Sequence, residues 1–434
     1  MHRPLSITEH NFWLYDQVAI FNFAMTAQIA GDINISKLEQ ALDFVQQRHP
    51  LLRVGIVLDT ARKPWFQEYC AKIPLRVVQR LGEEHWQQEV EKEITQPFDW
   101  RQAPLIRVVL VHSPEVSELI VTVHHSIGDA LASVYLLRDI LQAVGLPNSE
   151  RNILPLRPGC EDMIAEKLWG FHNLPSLENI NTEVSPSIIN DFTNAAANTF
   201  VDWRCLRLLA WSLSAAETTS LISRCREEQT TVHAAICAAF LLAVSQDSGQ
   251  QFELKCISPI NVRGFLAPLI AEDYGYYAAV GITRNSVTPD LTLWDIARSL
   301  KSQLHQQMTL EHIAEKIAPS QAFLNTNPSP QQLQQGFVEG YNHDIVVSNL
   351  GRLNIPQQFG DIQLKAIYGP AVTTYMKNER LIGVATLGDK MFFTFTYLDP
   401  ETSPEKAVQI QQTAMEQLKQ AQALKNEVLS MKYL

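Results

Sequence analysis

The stretch Leu119-Ile120-Val121-Thr122-Val123 runs straight into His124-His125-Ser126-Ile127-Gly128-Asp129, and Leu131, Val134 and Ile140 follow at helical spacing. A strand this apolar on both faces does not suit an exposed edge. It calls for a sheet covered on each side, and therefore for a layered α/β protein. The residues that join strand to helix carry two imidazoles and a carboxylate. Neighbouring side chains of a strand point to opposite faces, so His124 and His125 cannot both face one cleft. One of the two is structural. Imidazole titrates near neutrality and suits proton transfer, provided a carbonyl or carboxylate fixes its tautomer.

Strands and helices alternate in both halves of the chain. Ser36 and Glu39 spell a capping box ahead of an apolar stripe of Leu38, Ala41, Leu42 and Val45. Strands are expected at 51–57, 105–111 and 119–123. In the second half, Ser214 and Glu217 form another capping box, and an alanine-rich helix follows, with Ala234, Ala235, Ala238, Ala239 and Ala243. Strands at 254–260 and 276–283, an amphipathic helix at 293–308 and a hairpin of 381–386 with 391–397 around Gly388-Asp389 come next. Ser403-Pro404 opens the last helix. Between 155 and 198, Pro155, Pro158, Pro175 and Pro186 sit among Asn and Ser residues with no sustained period, which predicts a crossing between domains. The expected organisation is a first lobe at 1–175, a linker or crossover at 176–198, and a second lobe at 199–434.

Composition narrows the partners. The chain holds 35 basic and 46 acidic residues, a net charge of −11. That balance argues against nucleic-acid binding, which needs a basic face, and leaves small molecules and proteins. The start of the chain lacks a secretory pattern, and no apolar run approaches the roughly 20 residues that span a bilayer. A cytoplasmic location follows as the expectation. Cys70, Cys160, Cys205, Cys225, Cys237 and Cys256 form no CxxC pair and are read as reduced core thiols.

Several chemistries compete for His124, His125 and Asp129. A strand-end histidine is often only packed or solvated. A metal site would want HExxH-type spacing and a further ligand, and the sequence shows neither. A serine hydrolase would need a nucleophile elbow such as GxSxG, which is absent. The run His124 to Asp129 nevertheless resembles the HHxxxDG motif of the chloramphenicol acetyltransferase-like superfamily, which includes the condensation domains of non-ribosomal peptide synthetases. Other segments are similar to the family's elements in the family's order: Arg48-His49-Pro50-Leu51-Leu52-Arg53, Pro97-Phe98-Asp99 with Pro104-Leu105-Ile106-Arg107, Thr231-Val232-His233-Ala234, Asn261-Val262-Arg263 and Ser348-Asn349-Leu350-Gly351. They span nearly the whole chain, and the last resembles the stand-alone alcohol acyltransferases of the phthiocerol dimycocerosyl transferase type.

The resemblance implies a two-lobed fold, each lobe a mixed sheet with helices, and an active-site channel between them. It implies His125 as the base that takes the acceptor's proton, His124 as structural, and Asp129 as a salt-bridge anchor whose best partner is Arg263. Ser348 or Asn349 would stand near the oxyanion, against the simpler reading of a turn that caps the second lobe. No metal or cofactor is implied, since acyl-CoA or a phosphopantetheine-linked acyl group on a carrier protein would be the substrate. Esterification of a hydroxyl acceptor by a monomeric enzyme is the leading expectation. Amide formation and a catalytically idle docking homologue are the alternatives. Ala130 replaces the motif's glycine, which is harmless if the position opens a helix and narrowing if it needs positive φ. Asp273-Tyr274-Gly275-Tyr276 is assigned no role.

Overall fold

The computed structural model describes residues 2–147, 152–169, 204–247, 253–266, 270, 272–328, 330–376 and 379–431. The fold is α/β, with two mixed six-stranded sheets and a small third one. The strands are β1 (His2–Pro4), β2 (Asn22–Ala30), β3 (Val54–Leu58), β4 (Pro64–Glu68), β5 (Leu75–Gln79), β6 (Ile106–His112), β7 (Val116–His124) and β8 (Cys205–Leu213). They continue as β9 (Glu253–Asn261), β10 (Ala278–Ser286), β11 (Ile345–Leu353), β12 (Gln358–Phe359), β13 (Ile362–Val372), β14 (Arg380–Leu387) and β15 (Lys390–Asp399). The first sheet runs β12-β13-β2-β7-β6-β5, the second β10-β9-β11-β14-β15-β8, and the small sheet β1-β4-β3.

The apolar strand that opened the sequence reading is β7, interior to the first sheet between β2 and β6. Its neighbour β2 pairs on its other side with β13, a strand from the far end of the chain. One core cluster accordingly mixes Phe23, Val121 and Ile140 with Tyr276, Val346 and Leu381. A second cluster gathers the alanine-rich helix Val232–Asp247 against Ile382, Phe393 and Phe395.

The two sheets meet at Gly383 of β14. A Cβ there would fall 2.3 Å from the carbonyl oxygen of Pro370 on β13. Thr394 and Thr396 of β15 add side-chain hydrogen bonds to the backbone oxygens of Pro370 and Val372, at 3.2 and 3.0 Å.

Several local expectations need correction. The helix expected from Ser36 begins at Ile35, and its N-cap is Asn34, whose side chain accepts from Lys37 N at 3.0 Å. Asn34 is as good a cap as serine and lies where the chain first turns, so Ser36 falls inside the helix. The strand expected from Leu51 starts only at Val54, because Pro50–Arg53 form a 3-10 turn that still buries Leu51 and Leu52. The proline- and asparagine-rich crossing contains a helix, Cys160–Trp169, whose Cys160, Met163 and Ile164 pack with Val262, Leu266 and Ile270. The expected linker at 176–198 lies outside the described residues. Ser348 and Asn349 sit on strand β11, not on a capping turn, although the strand bulges between Asn349 and Arg352. Four cysteines are buried as expected, but Cys70 and Cys205 are exposed.

Among the described residues no single helix is long and apolar enough to cross a membrane. The bent pair Ala215–Glu227 and Val232–Asp247 meets that measure only when joined, and most of its second helix is core.

Gly383→Ala is expected to destabilise the fold by at least the ~1–3 kcal/mol typical of an overpacked core, because the opposing atom is backbone and cannot rotate away. The midpoint of urea unfolding should fall accordingly, and an unchanged midpoint would refute this account of the junction.

Candidate active site

The bend after β7 is built around Asp129. Its Oδ1 accepts from Ala132 N at 2.8 Å and so caps the helix Ala130–Gly145. The same oxygen accepts from Arg263 Nη2 at 2.9 Å, and Oδ2 accepts from Tyr277 N at 2.8 Å. Both ion-pair partners are buried. A lone buried carboxylate would be costly, and here donors from a helix end, a guanidinium and a loop share it. Arg263 N also donates to Asn261 Oδ1 at 3.1 Å, and the guanidinium lies 4.8 Å from the Tyr277 ring centroid.

The backbone closes the same joint, since Asp129 N donates to Gly275 O at 3.2 Å. Gly128 must lack a side chain, because a Cβ would come within 2.7 Å of the Tyr274 ring. Tyr274 in turn meets Ser133 Oγ at 3.2 Å. Ala130 is the first residue of the helix and lacks positive φ, so alanine fits where the motif has glycine.

This joint fixes the two histidines differently. His124 is buried and its Nδ1 accepts from Ser126 N at 3.2 Å, which leaves the proton on Nε2, 3.3 Å from Asp16 Oδ2. Asp16 meanwhile accepts from Phe21 N at 2.9 Å and holds the entry to β2. His125 lies in the turn that follows the strand and lines a cavity. Its Nδ1 donates to Gly128 O at 3.3 Å, so Nε2 is the acceptor nitrogen.

Phe12, Phe21 and Phe23 stand 4.7–4.8 Å from the His125 ring and Tyr276 5.6 Å from it, centroid to centroid. Burial among these rings is the main reason that the His125 pKa is lowered to about 4; the Gly128 hydrogen bond and Asp129 oppose that shift only in part. His125 is therefore neutral at physiological pH.

The cavity, about 190 Å³, lies between the sheets. Phe12, Phe21, Phe23 and His125 form one side, and Ile257, Asn261, Val280, His343, Val346, Ser348, Asn349 and Leu381 are contributed by the second half. Asn349 Oδ1 accepts from Gly351 N at 2.8 Å across the β11 bulge, and Gly351 has φ of +68°. His125, Asp129, Arg263, Ser348 and Asn349 thus border one space, and His124 is not among the residues that line it. Among the described residues no group of three His, Cys, Asp or Glu side chains could hold a metal ion.

A second polar tie explains the Arg48-His49 element. Asp139 accepts from Arg48 Nε at 2.8 Å and Arg138 Nη2 at 2.6 Å, and lies 2.9 Å from His49 Nε2. Both arginines also reach Glu272, at 3.0 and 2.6 Å, just before the Tyr274–Tyr277 loop. Despite burial, hydrogen bonding by His49 and the charge of Arg138 hold the Asp139 pKa down to about 2.

The aromatic enclosure and the Tyr274–Tyr277 loop had no assigned role in the sequence. Their one signal was the tyrosine-glycine pattern itself. Phe12, more than a hundred residues from His125 in the chain, gave none.

Residues 12–155 match the condensation-domain family model, and residues 206–385 match the model for the phthiocerol/phthiodiolone dimycocerosyl transferase C-terminus. Tyrocidine synthase 3 of Brevibacillus parabrevis is 24% identical over 346 residues, 75% of this chain, which spans only 5% of that protein's length. The first condensation domain of the calcium-dependent antibiotic synthetase superposes with a TM-score of 0.70 at 12% identity, covering 98% of this chain and 97% of that one. Polyketide synthase associated protein 5 from Mycobacterium tuberculosis gives 0.64 at 15% identity, covering 96% and 97%.

Asp129→Ala and Arg263→Ala are each expected to cost ~3–5 kcal/mol, since each strands a buried charge. The double variant should lose clearly less than the sum. Denaturant titration of the four proteins checks this, and strict additivity would contradict it.

Proposed function

We propose, on the premise that this chain belongs to the chloramphenicol acetyltransferase-like superfamily of condensation domains and stand-alone acyltransferases, that it carries an acyl group from a thioester to a hydroxyl acceptor. One observation carries the reading: His125 has its Nδ1 proton committed to Gly128 O, and its ring lines an apolar cavity between the sheets.

The acceptor hydroxyl donates to Nε2 of His125. As its oxygen adds to the thioester carbonyl carbon, the proton passes to Nε2 and the carbonyl oxygen becomes anionic. Ser348 and Asn349 are assigned to that oxyanion because they border the same cavity. Collapse of the tetrahedral species breaks the C–S bond, and the departing thiolate takes the proton from the imidazolium. The products are an ester and a free thiol. Coenzyme A or the phosphopantetheine arm of a carrier protein would bring the acyl group as substrate.

The match of residues 206–385 to the phthiocerol/phthiodiolone dimycocerosyl transferase C-terminus supports a hydroxyl acceptor, and a neutral His125 can take the proton from either a hydroxyl or an uncharged amine as it attacks. Amide formation is the second reading, supported by the condensation-domain match over residues 12–155.

Incubation with acyl-CoA or acyl-carrier thioesters and alcohol acceptors should release thiol, and His125→Ala should lower the rate by ~10²–10⁴-fold. Unchanged turnover in that variant would eliminate His125 as the base, and absent thiol release with any donor would favour a docking role. The mass of the product separates ester from amide. Because the base must be neutral, kcat/KM should hold level from neutral pH to about 5 and fall below that as His125 protonates near 4.

A further inference from the structure

The geometry points to a donor site for an uncharged acyl chain, one that rejects aminoacyl thioesters bearing an α-ammonium group. This inference rests on the acyl-transfer reading above and narrows its substrate class.

Apart from histidines, the charged side chains that line the cavity among the described residues are Asp129 and Arg263, and these neutralise each other at 2.9 Å. Asp129 has little left to offer a cation. Its Oδ1 also accepts from Ala132 N, and its Oδ2 accepts from Tyr277 N. Glu379, behind the lining residue Thr374, is likewise engaged: it accepts from Thr374 N at 2.7 and 2.9 Å and from Thr373 Oγ1 at 3.2 Å. The remaining wall is largely hydrocarbon, with Val280, Val346, Leu350 and Leu381 facing the space.

An ammonium group drawn into this space loses its water and meets no available carboxylate among the described residues. Burial of an unpaired charge is severely unfavourable, whereas each buried methylene is stabilising. The wall therefore separates two thioesters of equal length by one feature, the charge beside the carbonyl. The neutral pair Asp129–Arg263 also leaves no net field to draw in an anionic acyl group.

The test uses non-reactive ketone analogues of hexanoyl-pantetheine and α-aminohexanoyl-pantetheine, titrated calorimetrically into the intact wild-type protein. They share the arm and the chain and differ only in the amino group. At pH 6 that group is charged, its ordinary pKa being about 7.7–8.0. The hexanoyl analogue should bind at least tenfold tighter at pH 6, and at pH 9 the gap should shrink severalfold as the amine becomes neutral. Equal affinities at pH 6, or a preference for the amino analogue, overturn the inference and leave the acyl-transfer reading standing. A gap that persists unchanged at pH 9 assigns the preference to shape and also overturns it. Binding of neither analogue sinks the inference together with the reading of this cavity as a donor site.

Discussion

The Asp129 carboxylate is the constraint on which the site depends. It caps the helix that follows the histidines, and it receives Arg263 and the Tyr277 amide from the second half of the chain. These donors share the buried charge between a helix end, a guanidinium and a loop amide, so removing any one of them leaves the carboxylate less well compensated. The consequence reaches His125 through the backbone. Gly128, which accepts the His125 Nδ1 proton, is confined between Asp129 and the Tyr274 ring. The orientation of the proposed base is thus set by contacts between halves, not by its own strand.

The same joint permits an apolar site. A base in a polar cleft would titrate near its ordinary value and be partly protonated at neutral pH. His125 is enclosed by Phe12, Phe21 and Phe23 from one half and Tyr276 from the other, and burial keeps it neutral. What it loses in basicity it offsets in availability: the acceptor always meets the neutral ring. Tyr276 joins the enclosure because its loop is held at Glu272 by Arg48 and Arg138 and at Tyr277 by Asp129. The charged tie around Asp139 lies outside the cavity wall and leaves the electrostatics of the proposed acyl site to Asp129 and Arg263.

Much of this was legible in the sequence, for reasons that are local. β7 announced itself by unbroken apolarity, the helix after Asp129 by its stripe, and Ser214 with Glu217 by a capping box that the structure contains. Asp129 and Arg263 were paired on the resemblance of two short motifs, and they meet at 2.9 Å. The features that escaped are those set by partners distant in sequence. The low pKa of His125 comes from burial among rings at positions 12, 21, 23 and 276, and of these only Tyr276 belongs to a recognisable pattern, Asp273-Tyr274-Gly275-Tyr276. Gly128 reads as a turn glycine, yet its φ of −175° is ordinary and its smallness answers to Tyr274. Ser36 misled because a nearby Asn caps equally well.

The strand β13 was absent from the sequence reading, and it changes how the cavity is understood. It is continuous in sequence with the second half yet pairs with β2 of the first sheet. Its end supplies Pro370 and Val372 to the cavity wall, and its Pro370 carbonyl rests against Gly383 and Thr394 of the second sheet. A cleft between two bodies joined by a single hinge widens at the cost of side-chain contacts alone. Here widening also strains a backbone ladder on one side of β13 or a contact with no room for a methyl group on the other. The width of the cavity is therefore a property of strand pairing. A chain that lies in it must fit the space that the ladder sets, which is why the character of the wall, largely apolar among the described residues, bears directly on which acyl groups the proposed site admits.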